Sequence, residues 1–167
     1  MAPIVVLVGP PGSGKSTVAR LVGERLGVTV RDTDDDVERT AGQPIADIFV
    51  EHGEEEFRRL EVEAVATALR EHDGVLALGG GAVLDERTRA ALRGLPVAFL
   101  DVTIKDAASR IGLNRDRPLL LGNPRAQWIR LMEARRPLYD EIATIRVDTG
   151  GKAAEDVADE VVAAVRP

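Results

Sequence analysis

Apolar residues along this chain come in short continuous runs, separated by longer stretches in which they recur every three or four positions. The runs are Ile4–Val8, Val28–Arg31, Val75–Leu78, Val97–Leu100 and Ile145–Val147, rich in β-branched residues and of strand length. Their largely continuous apolar character predicts strands covered on both faces, as in a parallel sheet. Between them, Ser16–Leu26 places Val18, Leu21, Val22 and Leu26 on one helical side. Glu54–Glu71 places Phe57, Leu60, Ala64 and Ala68 on one stripe, behind acids in its first turn where the helix dipole favours negative charge. Thr103 with Asp106 three residues on predicts a capped helix start, and Asp156–Val165 predicts a closing helix. A further helix carries Arg135 and Arg136 and is expected to end near Pro137–Tyr139. Strand alternating with helix implies a three-layer α/β fold with right-handed crossovers. Ligands of such folds bind at the carboxyl ends of the strands, so the segments just after each strand carry the interest.

Bulk properties narrow the class. The chain has 167 residues, 44% of them hydrophobic and 30% charged, which suits one domain with a real core. No repeat or low-complexity linker divides it, so 1–167 is expected to be a single domain. The net charge of −6 argues against a general binder of nucleic acid or anionic membrane. There is no cysteine, which excludes disulfides and thiolate metal sites. No signal peptide is read before Ile4, and no run approaches the ~20 apolar residues of a membrane helix. A cytoplasmic, soluble monomer is the expectation.

The first predicted strand runs straight into GPPGSGKS, which fits G-x-x-x-x-G-K-S from Gly9 to Ser16. Gly9, Gly12 and Gly14 let the backbone turn with its N–H groups inward, forming an anion nest at a helix N-terminus. Gly12, Ser13, Gly14, Lys15, Ser16 and Thr17 would surround the phosphates of ATP, with Lys15 reaching the β- and γ-phosphates and the Ser16 hydroxyl on Mg²⁺. A mere packing corner would not need strand, full motif and helix in this order.

The second strand is followed by Asp32, Thr33 and Asp34. Asp32 is placed to hold Mg²⁺, an ion that takes few carboxylates and keeps several waters. Asp34 would receive a proton from an acceptor hydroxyl, while Asp35 and Asp36 read as a solvated acidic turn capping the next helix. After the third strand, Gly79, Gly80 and Gly81 put no side chain between backbone and ligand; read alone, they fit a flexible turn equally well. Arg58 has Glu54 and Glu61 at helical spacing. A surface ion-pair ladder and a ligand-binding guanidinium steadied by Glu61 are equal readings there, whereas Arg59, with Glu55 and Glu63, reads as ladder. The stretch from 112 to 124 has glycines near its ends and arginines inside, the pattern of a lid closing over phosphates. Arg117, directly before Pro118, is its phosphate contact, and Arg115 is left to solvent. His52 and His72 read as solvated helix ends, Trp128 and Met132 as core.

Taken together, these segments resemble the shikimate kinases. The resemblance runs from Gly9 to about Thr149 and includes GPPGSGKS, the Asp32–Asp34 triplet, F-R-x-x-E from Phe57 to Glu61, Gly79–Gly81, R-P-L at Arg117–Leu119 and R-x-P-L-Y from Arg135 to Tyr139. It implies a P-loop kinase fold like that of the nucleoside monophosphate kinases: a five-stranded parallel sheet in the order 2-3-1-4-5, an acceptor region at about 32–61 and a mobile lid. It implies transfer of the ATP γ-phosphate to the 3-hydroxyl of shikimate, on the route to chorismate and aromatic amino acids. By position, Asp34, Arg58, Gly79, Gly80, Gly81 and Arg135 would hold shikimate, with Arg136 in the variable place. Asp34, Lys15 and Arg117 would act in catalysis, Ser16 and Asp32 on Mg²⁺, and Arg110 beside the adenine with Lys152 as a nearby charge. The segment Gly150–Ala154 matches the family poorly, and Ala154 stands where relatives often have a proline.

Chemistry agrees with the resemblance. Two arginines and one aspartate converging at strand ends suit a substrate with one carboxylate and several hydroxyls. Gluconate kinase is the nearest rival, and Gly79–Gly81 with F-R-x-x-E speak against it. A nucleoside monophosphate kinase would need a site for a base and a phosphate. A GTP-dependent switch would want a guanine-reading N-K-x-D, which the sequence lacks. An inert ATP-binding scaffold would be expected to lose Lys15, Asp34 or Arg117.

Overall fold

The computed structural model describes residues 2–111 and 123–166. Its strands are β1 (Val5–Val8), β2 (Val30–Asp32), β3 (Val75–Ala77), β4 (Val97–Asp101) and β5 (Ile145–Asp148). All pairings are parallel, in the order β2-β3-β1-β4-β5. Val6 of central β1 lies between Leu76 of β3 and Val97 of β4. The order matches the one implied by the family resemblance.

Successive side chains of β1 enter opposite cores, which is why the strand is apolar without alternation. Val6 and Val8 face a core shared with Val65, Trp128, Met132 and Tyr139. Val5 and Leu7 face Val18, Val22, Val157 and Val161 on the other side. Among the described residues, the α-helices are α1 (Lys15–Leu26), α2 (Thr33–Ala41), α3 (Ile45–Glu71), α4 (Glu86–Leu92), α5 (Ile104–Ile111), α6 (Pro124–Ile142) and α7 (Ala154–Val165); all but α2 pack on these two cores, and α2 packs on α3 through Val37, Ile48 and Phe57. Thr103 Oγ1 accepts from the Asp106 backbone N–H at 3.3 Å, the expected cap of α5. None of the described helices is long and apolar enough to cross a membrane.

Several expectations need correction. β2 lies at the sheet edge and begins later than its apolar run, because Val30 there is 41% exposed and little burial defines its start. The acids that follow it lie within the next helix, α2, rather than ahead of it as a capping turn: Asp32 is the cap, accepting from the Asp34 N–H at 2.9 Å, and Asp34, Asp35 and Asp36 fill the first turn. Asp36 is not solvated. It is 5% exposed and pairs with Arg31 at 2.7 Å and Arg39 at 2.6 Å.

The long helix begins at Ile45 and kinks at Gly53, whose φ of 85° only glycine adopts cheaply; the predicted start at Glu54 marks its second limb. α6 continues through Pro137 to Ile142, because Tyr139 and Ile142 bury the turn beyond the proline in the core. Arg59 pairs with Glu56 and Glu63 rather than with Glu55. His72 is half-buried, its Nε2 at 3.1 Å from Thr29 O and 3.0 Å from Val75 O, so it ties the approach to β2 onto β3 instead of facing water.

Candidate active site

β1 ends at Val8, and the backbone from Gly9 to Gly14 turns onto the N-terminus of α1. Gly12 and Gly14 take φ of 86° and 85°. A Cβ on Gly12 would stand 2.9 Å from the Ala107 Cα, so this turn is packed directly on α5. Lys15 Nζ folds back to Gly9 O at 2.6 Å and Pro10 O at 3.3 Å. Burial lowers its ammonium to about 8, against the raising effect of Asp34 and Asp32.

Those two aspartates stand at the end of β2 and the start of α2. Burial, reinforced by the charges of Asp32 and Glu61, pushes Asp34 up to about 6 while Lys15 opposes. Burial also raises Asp32, opposed first by the hydrogen bond from the Asp34 N–H. With Lys15, Ser16, Gly80 and Arg110 they line a cavity of about 520 Å³.

Of the three glycines after β3, Gly80 lines this cavity, and each of the three is a point of close approach. A Cβ on Gly79 would lie 2.5 Å from Asp34 Oδ1 and 2.9 Å from Glu61 Oε2. One on Gly80 would lie 3.3 Å from Arg135 Nη1, and one on Gly81 would overlap the Arg58 guanidinium. The glycines thus gather Asp34, Glu61, Arg58 and Arg135 round one loop. Glu61 is 3% exposed and accepts from Arg58 Nη1 at 2.8 Å; burial raises it, with Arg58 and then Arg135 opposing. Arg58 Nε is buried and makes no hydrogen bond among the described residues, standing 3.5 Å from Glu54 Oε2 in a loose ion pair.

Neighbouring arginines on α6 diverge. Arg135 turns to the glycine wall, whereas Arg136 donates to Asp101 Oδ2 at 2.7 Å beyond β4. A smaller pocket of about 180 Å³ adjoins the cavity, lined by Ser13, Thr17, Arg110, Thr149, Lys152 and Ala154. Arg110 closes the gap between the two, donating to Gly12 O at 3.0 Å and Thr149 O at 3.1 Å. Lys152 reaches Glu160 at 2.9 Å. Arg115, Arg117 and nearly all of the expected lid lie outside the described residues. A separate groove of about 530 Å³ between α5 and α6, lined by Val102, Ile104, Trp128 and Met132, holds none of the candidate residues except the divergent Arg136.

Sequence reasoning missed Tyr139, whose hydroxyl donates to Gly80 O at 2.6 Å and which burial pushes up to about 12. It also missed the second function of Trp128, whose indole N–H donates to Pro11 O at 2.9 Å. A signal existed: Trp128, Met132, Arg135 and Tyr139 fall at i, i+4, i+7 and i+11, one helical stripe, with an arginine set among core residues.

The arrangement holds an anion nest with a buried lysine, carboxylates poised to ligate a cation or take a proton, and two arginines beside them. Comparison with known proteins agrees. A family model described as shikimate kinase matches residues 11–166. A shikimate kinase of Streptomyces coelicolor is 56% identical over 164 residues, covering 98% of this chain and 96% of that protein. Another, of Saccharopolyspora erythraea, is 57% identical over 163 residues, covering 97% and 93%. Among solved structures, shikimate kinase from Acinetobacter baumannii in complex with shikimate superposes with a TM-score of 0.89 at 34% identity, covering 99% and 93%. A gluconokinase from Sinorhizobium meliloti 1021 reaches a TM-score of 0.63 at 20% identity, covering 96% and 90%, a likeness of fold alone.

Proposed function

The chain belongs to the shikimate kinase family, and from that premise we propose how its cavity carries the γ-phosphate of ATP to the 3-hydroxyl of shikimate. The observation that supports this reading best is the convergence of Asp34, Arg58 and Arg135 on the three-glycine loop, whose Gly80 lines the cavity together with Asp34 and Lys15. Shikimate offers a carboxylate to two guanidiniums and hydroxyls to one aspartate. Glu61 steadies the Arg58 guanidinium through a 2.8 Å bond to Nη1, and Glu54 pairs with it loosely at 3.5 Å.

Phosphoryl transfer asks the protein mainly for position and for neutralised charge. Lys15 releases the loop carbonyls it now holds and turns its ammonium to the β- and γ-phosphates. Asp34 orients the acceptor hydroxyl and takes its proton. With its carboxyl at about 6 it is ionised at neutral pH yet more basic than an ordinary aspartate. Arg117 is assigned to the transferring phosphate, Arg110 and Lys152 to the base end of the nucleotide, and Gly79–Gly81 to the shikimate ring through backbone contact.

Ser16 and Asp32 line the same cavity, and burial raises Asp32, a carboxylate short of positive partners. Such oxygen donors, few and beside a phosphate site, fit Mg²⁺. When bound, Mg²⁺ would neutralise charge on the β- and γ-phosphates. A single domain acting as a monomer in the cytoplasm completes the proposal.

The test is coupled ADP release from MgATP with shikimate, with gluconate and with no acceptor. Turnover with shikimate alone is expected. Turnover with gluconate, or hydrolysis indifferent to either acid, would overturn the acceptor assignment while leaving the phosphate cradle intact. Asp34→Asn should lose most of kcat and keep MgADP affinity, and unchanged turnover would remove Asp34 from the chemistry.

A further inference from the structure

We propose that Trp128 is a positioning residue: its indole N–H holds the Pro11 carbonyl outward, aims the following amide into the phosphate cavity, and ties that loop to the helix bearing Arg135. The proposal rests on the kinase reading of the cavity.

Four successive carbonyls of the glycine loop each meet a donor. Gly9 O and Pro10 O accept from Lys15 Nζ, and Pro10 O also accepts from the Ser13 N–H at 3.2 Å. Pro11 O accepts from Trp128 Nε1 at 2.9 Å and Gly12 O from Arg110 Nη1 at 3.0 Å. In a planar trans peptide the carbonyl and the next N–H point in opposite directions. Drawing Pro11 O toward α6 therefore turns the Gly12 N–H the other way, toward the cavity that Gly12 lines. An anion nest works only when such amides already point inward before the phosphate arrives.

Lys15 must leave its carbonyls to meet phosphate, but Trp128 need not move. The indole is 7% exposed and packed in the core, and a buried indole N–H needs an acceptor. Its acceptor lies 117 positions away in sequence, in the loop that holds the nucleotide. Two turns further along the same face of α6 stands Arg135, and one turn beyond that Tyr139 donates to Gly80 O at 2.6 Å. One helical face thus grips a carbonyl in each of the two loops that wall the cavity, with the acceptor arginine between the grips. Nucleotide and acceptor affinities are coupled through this face, and such coupling is reciprocal.

Trp128→Phe keeps the ring and removes the donor. Isothermal calorimetry with MgADP reads the loop whatever the acceptor proves to be, so it fails separately from the shikimate assignment. MgADP affinity is expected to fall about tenfold, the order expected for a loop that must be organised by its ligand. The ratio of shikimate KM at low and at saturating ATP should move toward one. Met132→Ala, on the same face without a loop contact, should lower Tm at least as much and leave MgADP affinity within about twofold. Wild-type MgADP affinity in Trp128→Phe, or equal losses in the two variants, would overturn the proposal. Trp128 is the single tryptophan of the chain. If the variant does not fold, hydrogen exchange of this indole N–H in the wild-type chain serves instead: protection already present without nucleotide supports the proposal, and rapid exchange that only MgADP slows overturns it.

Discussion

The guanidinium of Arg58 occupies the place where a Cβ on Gly81 would stand. Glycine at 81 is therefore a requirement of the arginine's present position, and a methyl group added there must displace the guanidinium that donates to Glu61. Gly81→Ala should raise the shikimate KM at least about tenfold, since a misplaced charged donor costs ~1.5–3 kcal/mol of binding, and should leave MgADP affinity unchanged. Steady-state kinetics and calorimetry read the two effects separately. An unaltered shikimate KM would detach Arg58 from the acceptor.

Two adjacent arginines allow a sharper comparison. Arg135 faces the glycine wall and Glu61, while Arg136 is paired with Asp101 at 2.7 Å with both side chains partly in water. Arg135→Ala should raise the shikimate KM by an order of magnitude or more. Arg136→Ala should cost less than about 1 kcal/mol of stability and little activity, as is usual for a half-exposed ion pair. A larger kinetic effect from Arg136 would reverse the assignment.

The central strands were legible because burial on both faces leaves an unbroken apolar run, and Val75 and Val97 begin strands where the pattern placed them. Edge strand β2 was blurred because half of it meets water. The start of α2 was only partly legible: Asp35 and Asp36 read as a solvated turn capping the next helix, whereas the cap is Asp32, which accepts from the Asp34 N–H, and Asp35 and Asp36 lie inside the first turn. The strand order came through resemblance, since periodicity does not say which strands are neighbours. The contacts of Trp128 with Pro11 and of Tyr139 with Gly80 were out of reach for a similar reason. They join distant segments, and a helical stripe marks only which face is buried, not which loop lies against it.

Lys15 and Asp34 should together give a bell-shaped pH dependence. Asp34, raised to about 6 chiefly by burial, gains its basic form as pH rises through that value, so kcat/KM for shikimate should climb there. Lys15, lowered to about 8 by burial, loses its charge above that value, so kcat/KM for ATP should decline. Phosphates beside the ammonium favour its charged form, so the alkaline limb of kcat should lie above that of kcat/KM. Profiles from pH 5 to 9 check this, and a flat one would contradict both assignments.

Asp34 also makes the site a place of stored instability. Its carboxyl sits at about 6 in the folded chain against an ordinary value of 3.8, so folding favours its protonated form. Its stabilising contribution is complete below about pH 4 and is lost as pH rises through about 6; above that, the buried carboxylate costs stability. After allowance for the solvent that still reaches it, the cost is on the order of 2 kcal/mol. Asp34→Asn keeps the shape and removes the charge. Without ligands it should raise Tm by roughly 5 °C at pH 7.5, by less at pH 5, and by nothing near pH 4, while kcat collapses. Thermal melts across that range decide the matter. A Tm that falls at pH 7.5, or a gain that does not fade with acid, would show that Asp34 is held by favourable contacts and carries no strain on behalf of catalysis.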